Sequence, residues 1–193
     1  MNRVCVFCGS SAGARESYAA AARAMGRALA ERDLGLVYGG GRVGLMGILA
    51  DAVLEAGGAV TGVIPHALMA REVGHRGLTE LRVVRSMHER KALMADLADG
   101  FVALPGGFGT FEEFCEVLTW SQLGIHPKPC ALLNVDGYYD TLLALFEHAE
   151  REGFVKPSHR AMVLQETDPA RLLEAMEAFR PPATSRWIVP DER

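Results

Sequence analysis

Two patterns of apolar residues alternate along this 193-residue chain. Short continuous apolar runs, such as Val4-Cys5-Val6-Phe7, are typical of strands that are covered on both faces of a sheet. Longer segments whose apolar residues recur at helical spacing predict helices. The predicted strands are 3–8, 34–38, 59–64, 81–84, 101–104, 130–134 and 162–165, and the predicted helices are 16–32, 44–56, 87–98, 110–123, 140–152 and 169–179.

This alternation of strands and helices indicates parallel β-α-β units. We therefore predict the α/β class, with a single Rossmann-like, doubly wound parallel sheet that carries helices on both faces, over residues 1–180. Residues 66–79, with two glycines and mixed charge, predict a loop with a short helical piece. Residues 181–193 contain three prolines and no periodicity, which predicts a C-terminal tail that is either disordered or laid on the surface.

The composition is ordinary for a globular protein, with 49% hydrophobic and 23% charged residues. A formal net charge of −4 argues against a nucleic-acid binder, although a local basic patch still allows a small anionic ligand. No apolar run approaches the ~20 residues of a membrane span, and the first apolar stretch is too short for a signal peptide. We therefore predict a cytoplasmic protein that contacts no membrane.

Four cysteines lie in hydrophobic surroundings, and two of them, Cys5 and Cys8, form a C-x-x-C motif. Such a motif suggests a metal or redox site. In a strand, however, residues three apart point to opposite faces of the sheet, so these two thiols would not converge on one ligand. We therefore predict that the cysteines are reduced, buried thiols, as is usual in the cytoplasm.

Ligands of open α/β sheets bind outside the carboxyl ends of the strands, which makes the residues after each predicted strand informative. Two glycine-rich turns, a pair of serines and a basic pair occupy these positions, and together they indicate a phosphate-bearing ligand. The four segments are Gly9-Ser10-Ser11, Gly39-Gly40-Gly41-Arg42-Val43-Gly44, Ser86-Met87-His88-Glu89-Arg90-Lys91 and Pro105-Gly106-Gly107-Phe108-Gly109-Thr110.

The first glycine-rich turn, Gly39-x-Gly41-x-x-Gly44, matches the dinucleotide-binding fingerprint as a string. A genuine fingerprint follows the first strand and has an acidic residue about twenty positions on, whereas this one follows the second strand and the next strand ends at Ile64-Pro65-His66. A tight strand-to-helix turn is the alternative explanation. No Gly-Lys-Ser/Thr sequence follows any glycine, which excludes a P-loop.

The second turn continues into Pro105-Gly106-Gly107-Phe108-Gly109-Thr110-Phe111-Glu112-Glu113. Its glycines allow the backbone to approach a ligand, and the helix that follows points its free amides and positive dipole end at an anion. The hydroxyl of Thr110 adds a further donor. Thr110-x-x-Glu113 also fits a capping box, in which Glu113 has only a structural role.

The basic pair Arg90-Lys91 opens a predicted helix, where basic residues oppose the helix dipole. When residues oppose such a local preference at the ligand-binding side of a sheet, they indicate a functional site. An ordinary solvated charge pair is the alternative. His88 is either a candidate base or a surface residue.

These motifs closely resemble those of the Lonely Guy family of cytokinin riboside 5′-monophosphate phosphoribohydrolases, over about residues 3–179. The resemblance implies a Rossmann-like homodimer that cleaves the base from a nucleoside 5′-monophosphate. We expect no cofactor and no metal, since the sequence shows no convergent cluster of metal ligands. It also implies that Arg90 and Glu113 form the catalytic pair. The residues that it implies for substrate binding are Ser10, Met87, Lys91, Gly106, Gly107, Gly109 and Thr110.

Other functions compete with this interpretation. Members of the family have been labelled lysine decarboxylases, but a pyridoxal enzyme needs a Schiff-base lysine, and Lys91, Lys128 and Lys156 lack a recognisable cofactor setting. A nucleotide-binding module without catalysis is the main alternative, and an NAD-linked oxidoreductase is the next. The sequence leaves open whether the substrate is AMP or a prenylated adenine nucleotide. Apolar residues around the predicted helix 110–123 would suit a partner subunit.

Overall fold

The computed structural model describes residues 1–69 and 74–182, and its framework is a seven-stranded sheet in which all neighbouring strands are parallel. The strands are β1 (Arg3–Phe7), β2 (Gly35–Tyr38), β3 (Val60–Pro65), β4 (Glu80–Val84), β5 (Gly100–Ala103), β6 (Cys130–Leu133) and β7 (Val163–Glu166). The helices are α1 (Glu16–Glu31), α2 (Gly44–Glu55), α3 (Met87–Leu97), α4 (Phe108–Gln122), α5 (Asp140–Arg151), α6 (Pro157–Arg160) and α7 (Pro169–Ala178).

The strand order is β4-β3-β2-β1-β5-β6-β7. The chain therefore starts in the middle of the sheet, builds one half outward to β4, and then returns to build the other half from β5. Its direction of winding reverses between β1 and β5. In doubly wound sheets this reversal opens a crevice at the carboxyl ends of the two central strands, where ligands bind.

Two hydrophobic cores cover the two faces of the sheet, which confirms the predicted fold class. Successive residues of β1 alternate between them, because side chains along a strand point to opposite faces. Val4 and Val6 belong to the core that includes residues of α1, α2 and α7. Cys5 and Phe7 belong to the core that includes residues of α3, α4 and α5.

The observed elements differ from the predicted ones in a few places. Helix α6, a single turn that starts with a proline, was missed because so short a segment carries no periodicity. A 3₁₀ turn at His66–Leu68 matches the short helical piece that was predicted within residues 66–79. Within the predicted C-terminal tail, residues 183–193 lie outside the described part of the chain.

The thiols of the C-x-x-C motif point into different cores, as predicted: Cys5 lies in one and Cys8 in the other. Burial raises the pKa of both thiols well above the ordinary value, so both stay protonated. Among residues 1–69 and 74–182, no cluster of side chains could hold a metal ion. No helix in the same two ranges is both long and apolar enough to cross a membrane.

Candidate active site

The loops that follow β1 and β5 meet at the reversal point of the sheet. The Gly9 amide donates to the Pro105 carbonyl at 3.0 Å and joins the two loops directly. A cleft opens beside this contact, at the carboxyl ends of the strands. Its lining residues are Gly9, Ser10, Ser11, Ala12, Gly13, Tyr18, Leu45, Pro105, Gly106, Gly107 and Tyr138.

The glycines of the β5–α4 loop have two different structural roles. A Cβ atom on Gly106 would overlap the Thr110 hydroxyl and lie 2.9 Å from the Gly9 nitrogen, so Gly106 is needed for close packing of the loop. A Cβ atom on Gly107 or Gly109 would meet nothing within 4 Å. These two glycines therefore leave an open backbone surface at the start of α4, which is the arrangement that allows a ligand to approach main-chain amides.

Helix α4 begins at Phe108, two residues earlier than predicted, and this start excludes the capping box. The N-cap is Gly107, which has no side chain to cap the helix. Its carbonyl already accepts the first helical hydrogen bond, from the Phe111 amide at 3.1 Å. Thr110 is consequently the third residue of the helix and is buried, while Glu113 is the sixth. Glu113 therefore does not belong to a capping box.

The loop between β2 and α2 supports the β1 loop instead of presenting a dinucleotide fingerprint. Gly44 has a φ of +58°, and a Cβ atom there would overlap the backbone of Ser10. The Leu45 amide donates to the Gly9 carbonyl at 3.0 Å. These contacts favour the tight-turn explanation for this glycine cluster, which places exposed Ser10 at the edge of the cleft.

Arg90 is buried at 5% exposure, so the alternative of a solvated surface charge is wrong. Its guanidinium Nε donates to the Val63 carbonyl at 3.1 Å, and Nη2 donates to the Gly39 carbonyl at 2.8 Å. A side chain on Gly39 would overlap this guanidinium, which explains a glycine at that position. Burying a permanent charge is costly, so a charge fixed in this way beneath the strand ends indicates a functional role.

Glu113 is half-buried on α4 and acts on the same region of the sheet as Arg90. The pKa of Cys5 is raised first by burial and next by the negative charge of Glu113, while the positive charge of Arg90 opposes the rise. The pKa of Cys8 is likewise raised by burial and then by Glu113. The two predicted catalytic side chains thus act electrostatically on one buried thiol, beneath the carboxyl ends of the central strands.

The Lys91 ammonium lies between two carboxylates of α4, those of Glu112 and Glu116, and the Nζ–Oε1 distance to Glu116 is 2.9 Å. Burial alone would lower the pKa of Lys91, but the two carboxylates outweigh it and raise that pKa. These bonds join α3 to α4. An ammonium has three donors, so one N–H remains for a ligand, and a substrate contact at Lys91 stays a prediction.

The α3 residues that precede Arg90 are exposed. Met87 is 42% exposed and lies with its sulfur 3.8 Å from Nη1 of Arg90, which places an apolar side chain beside the buried guanidinium. His88 is also exposed, which favours a surface residue over a catalytic base.

Tyr18 and Tyr138 line the cleft but were not predicted as site residues. Tyr138 follows β6 directly after a turn at Val135–Gly137, so it too lies beyond the carboxyl end of a strand. The turn sequence Asp136-Gly137 was the signal that could have directed attention to this loop.

Comparisons with known proteins agree on one family. The model of the family described as "Possible lysine decarboxylase" matches residues 46–176. The chain is 55% identical over 179 residues to the probable cytokinin riboside 5′-monophosphate phosphoribohydrolase LOGL9 of Oryza sativa subsp. japonica, covering 93% of this chain and 79% of the relative. It is 59% identical over 162 residues to the cytokinin riboside 5′-monophosphate phosphoribohydrolase of Rhodococcoides fascians, covering 83% of this chain and 82% of the relative.

Among solved structures, the chain is similar to the molybdenum cofactor carrier protein of Chlamydomonas reinhardtii, with a TM-score of 0.70 and 20% identity. That match covers 92% of this chain and 96% of the carrier, and at this identity it shows a shared fold.

The lysines do not fit a decarboxylase that uses pyridoxal phosphate. Lys91 is held by two carboxylates. Lys128 lies just before the amino end of β6, away from the cleft at the carboxyl ends, and donates to the Ala95 carbonyl at 2.7 Å. Lys156 is exposed at the N-cap of the single-turn helix α6. A Schiff-base lysine must reach into a cofactor pocket, and none of the three lines the cleft.

Proposed function

The chain belongs to the Lonely Guy family of cytokinin riboside 5′-monophosphate phosphoribohydrolases, and we propose that it hydrolyses the N-glycosidic bond of adenine-type nucleoside 5′-monophosphates. The products are the free base and ribose 5-phosphate. The observation that carries this proposal is the open backbone of Gly107 and Gly109 at the start of the helix that bears Glu113.

The 5′-phosphate binds at the N-terminus of α4. The first amides of a helix lack intrahelical acceptors and point outward with the positive end of the helix dipole, which suits a phosphate. Gly107 and Gly109 leave space for its oxygens, and Gly106 packs the loop beneath them. The buried hydroxyl of Thr110 lies against this loop.

Glu113 supplies the negative charge for the reaction. It stands five residues after Phe108, which is a rise of about 7.5 Å along the helix, the scale of a ribose ring that carries a 5′-phosphate. Cleavage of the N-glycosidic bond builds positive charge on C1′, as in glycoside hydrolysis, and a nearby carboxylate stabilises that charge. The carboxylate also accepts a proton from the attacking water, whose oxygen bonds to C1′ as the electron pair of the C1′–N9 bond leaves with the base. The base takes up a proton from solvent, and Glu113 returns its proton to solvent.

Arg90 supports this chemistry from below. Its guanidinium is fixed by two backbone carbonyls, so its positive charge stays in one place. This charge favours the ionised form of Glu113 and attracts the anionic substrate. Because the phosphate is remote from the bond that breaks, its binding energy serves to orient the ribose, and the monophosphate is preferred over the nucleoside.

The experiment is a substrate panel. The purified protein is incubated with AMP, with isopentenyladenosine 5′-monophosphate and with the matching nucleosides, and the free base is followed by chromatography. We expect base release from a nucleotide and far less from its nucleoside. Binding of the nucleotides without release of base would instead establish a non-catalytic binding module, and the panel also decides between AMP and a prenylated nucleotide.

A homodimer is the expected assembly. A second cleft of largely apolar lining lies between α4 and the segment from α5 to β7, apart from the proposed nucleotide cleft, and Leu145 of α5 is 57% exposed. Residues of α4, α5, α6 and β7 form that lining: Cys115, Leu118, Thr119, Gln122, Phe146, Val155, His159, Arg160, Met162 and Val163. Light scattering after gel filtration should give about twice the mass of one chain, and a monomer at micromolar concentration would contradict the proposed homodimer.

The cytoplasm is the expected compartment, and the state of the cysteines supports it. All four cysteines are free thiols, and three of them are buried. Reduced thiols of this kind are usual where glutathione and thioredoxin keep proteins reduced.

A further inference from the structure

The peptide between Gly106 and Gly107 is held by a side chain from a different part of the chain. The phenolic hydroxyl of Tyr138 donates a hydrogen bond to the Gly106 carbonyl. Glycine on both sides makes this peptide the least restrained of the loop, because neither neighbour has a Cβ atom to limit its rotation. The hydrogen bond from Tyr138 therefore fixes an orientation that the local sequence leaves open.

Fixing the Gly106 carbonyl also fixes the Gly107 amide, because both belong to the same planar trans peptide and point in opposite directions. A hydrogen bond to the carbonyl also polarises the peptide and strengthens its N–H as a donor. We propose that Tyr138 is a positioning residue whose hydroxyl holds the Gly106–Gly107 peptide so that the Gly107 amide faces the substrate phosphate. This inference rests on the proposed function, since it takes the phosphate to bind at the start of α4.

Tyr138 is itself held firmly enough for this role. Its ring makes an edge contact with Tyr18 at a centroid distance of 5.6 Å, an edge contact with Tyr139 at 5.0 Å and a stacked contact with Phe111 at 6.5 Å. The turn before it requires Gly137, which has a φ of +72° and would place a Cβ atom 2.6 Å from the Asp140 carboxylate. The ring therefore has one position relative to the loop.

The neighbouring peptide of the loop is fixed in another way. The Pro105 carbonyl accepts from the Gly9 amide at 3.0 Å, which orients the peptide that carries the Gly106 amide. Two successive peptides of the loop are thus pinned, one by the β1 loop and one by Tyr138. Of these two peptides, only the Gly106–Gly107 peptide is held by a side chain, so its orientation can be tested by a side-chain substitution.

Tyr139 provides a matched control within the same turn. Its hydroxyl donates to the Leu104 carbonyl at 2.6 Å, two residues before the carbonyl that Tyr138 holds. The nitrogen of that peptide belongs to Pro105, which has no N–H to present to a ligand. The two tyrosines make the same kind of bond to the same loop, but only the bond of Tyr138 orients an amide.

The test compares Tyr138→Phe with Tyr139→Phe in the full-length protein. The readouts are the Kd for ribose 5-phosphate by calorimetry, kcat and KM for the best nucleotide of the substrate panel, and the Tm. We expect Tyr138→Phe to weaken ribose 5-phosphate binding by about three- to tenfold and to lower kcat/KM for the nucleotide by a similar factor, with little change in Tm. Tyr139→Phe should lower the Tm and leave the Kd within about twofold.

The outcomes separate this inference from the proposed function. An unchanged Kd in Tyr138→Phe, an equal loss in both variants, or a wild-type protein that does not bind ribose 5-phosphate would overturn the role of Tyr138. A selective loss of affinity in Tyr138→Phe, together with a wild-type protein that releases no base from any nucleotide, would support the role of Tyr138 and reject the proposed hydrolase.

Discussion

At the scale of single residues, the proposed site combines the fixed charge of Arg90 with the carboxylate of Glu113, which we propose as the reactive group. Arg90 is anchored by the carbonyls of Val63 in β3 and of Gly39 after β2, and Glu113 lies on the helix whose start is the proposed phosphate site. The fixed guanidinium gives the carboxylate a constant electrostatic environment, whereas the carboxylate changes protonation during the proposed reaction. The two residues should therefore respond differently to substitution.

Glu113→Gln removes the negative charge and keeps the shape of the side chain. We expect kcat to fall by about a hundredfold or more, because an electrostatic partner of the transition state is lost. The variant should remain folded, since Glu113 is not a cap of α4. Glu89→Gln, which removes an exposed carboxylate at the start of α3, is the control. Near-normal turnover in Glu113→Gln would remove this residue from the mechanism.

Arg90→Lys keeps the charge but loses the planar fork that contacts two carbonyls. We expect the free energy of unfolding to drop by about 1–3 kcal/mol, because the Val63 and Gly39 carbonyls lose donors in a buried place. The value of kcat/KM should fall as well. Urea unfolding and steady-state kinetics measure both effects, and Arg85→Lys, at a side chain that is 95% exposed, is the control. A variant as stable as the wild type would contradict the anchoring of this residue.

At the scale of elements, the start of α4 contains one glycine that is needed for packing and two glycines that we propose make room for the ligand. Gly106→Ala should lower the Tm, because the added methyl group overlaps the Thr110 hydroxyl. Gly109→Ala should leave the Tm unchanged or raise it, because alanine favours a helix over glycine and nothing lies within 4 Å.

We expect Gly109→Ala nevertheless to raise the KM for the nucleotide by about tenfold, since a methyl group would stand where a phosphate oxygen approaches. Thermal unfolding and steady-state kinetics on the same samples provide the two measurements. An active, stable Gly109→Ala variant with a normal KM would move the phosphate away from this turn.

Element-level features also mark how far the sequence could predict this protein. Strands such as β1, β5 and β6 were predictable because they are continuous apolar runs, and the cleft was predictable because Gly9 and Gly106 follow such runs. The start of α4 was not, because its N-cap is a glycine without a capping side chain, and Thr110 imitates a cap.

Contacts between distant elements also escaped prediction. Tyr138 and Gly106 are 32 positions apart, and they meet because β5 and β6 are neighbours in the sheet. The pairing of Lys91 with Glu112 and Glu116 similarly depends on how α3 lies beside α4. The spacing of residues along the chain does not predict such contacts. The aromatic and ionic contacts around the candidate site could therefore be identified only from the structure.

At the scale of the whole molecule, the two ends of the parallel strands have different roles. The cleft lies at the carboxyl ends of the strands. At the amino ends, the carboxylate of Asp99 accepts hydrogen bonds from the amides of Asn2 at 2.6 Å and Arg3 at 3.0 Å and so connects the start of β1 to the start of β5. Burial alone would raise the pKa of Asp99, but these amide donors outweigh it and hold that pKa below its ordinary value. The ionised carboxylate of Asp99 therefore stabilises the folded state.

The stabilisation by Asp99 should depend on pH. Because its pKa is lower in the folded protein than in the unfolded chain, the stabilisation is present above the unfolded pKa of about 3.9 and is lost as the pH falls through the folded value. Asp99→Asn should therefore lower the Tm at pH 6–8, and the difference from the wild type should shrink toward pH 3. Glu152→Gln, at the exposed end of α5, controls for the loss of one surface charge. A Tm difference that is constant with pH would contradict this role.

A crystal structure of the Glu113→Gln variant with a bound nucleoside 5′-monophosphate tests the central claim most directly. The account predicts phosphoryl oxygens about 2.7–3.2 Å from the amides at the start of α4, with the side chain of residue 113 directed at C1′ of the ribose. A phosphate bound elsewhere, or a residue-113 side chain turned away from the sugar, would contradict it.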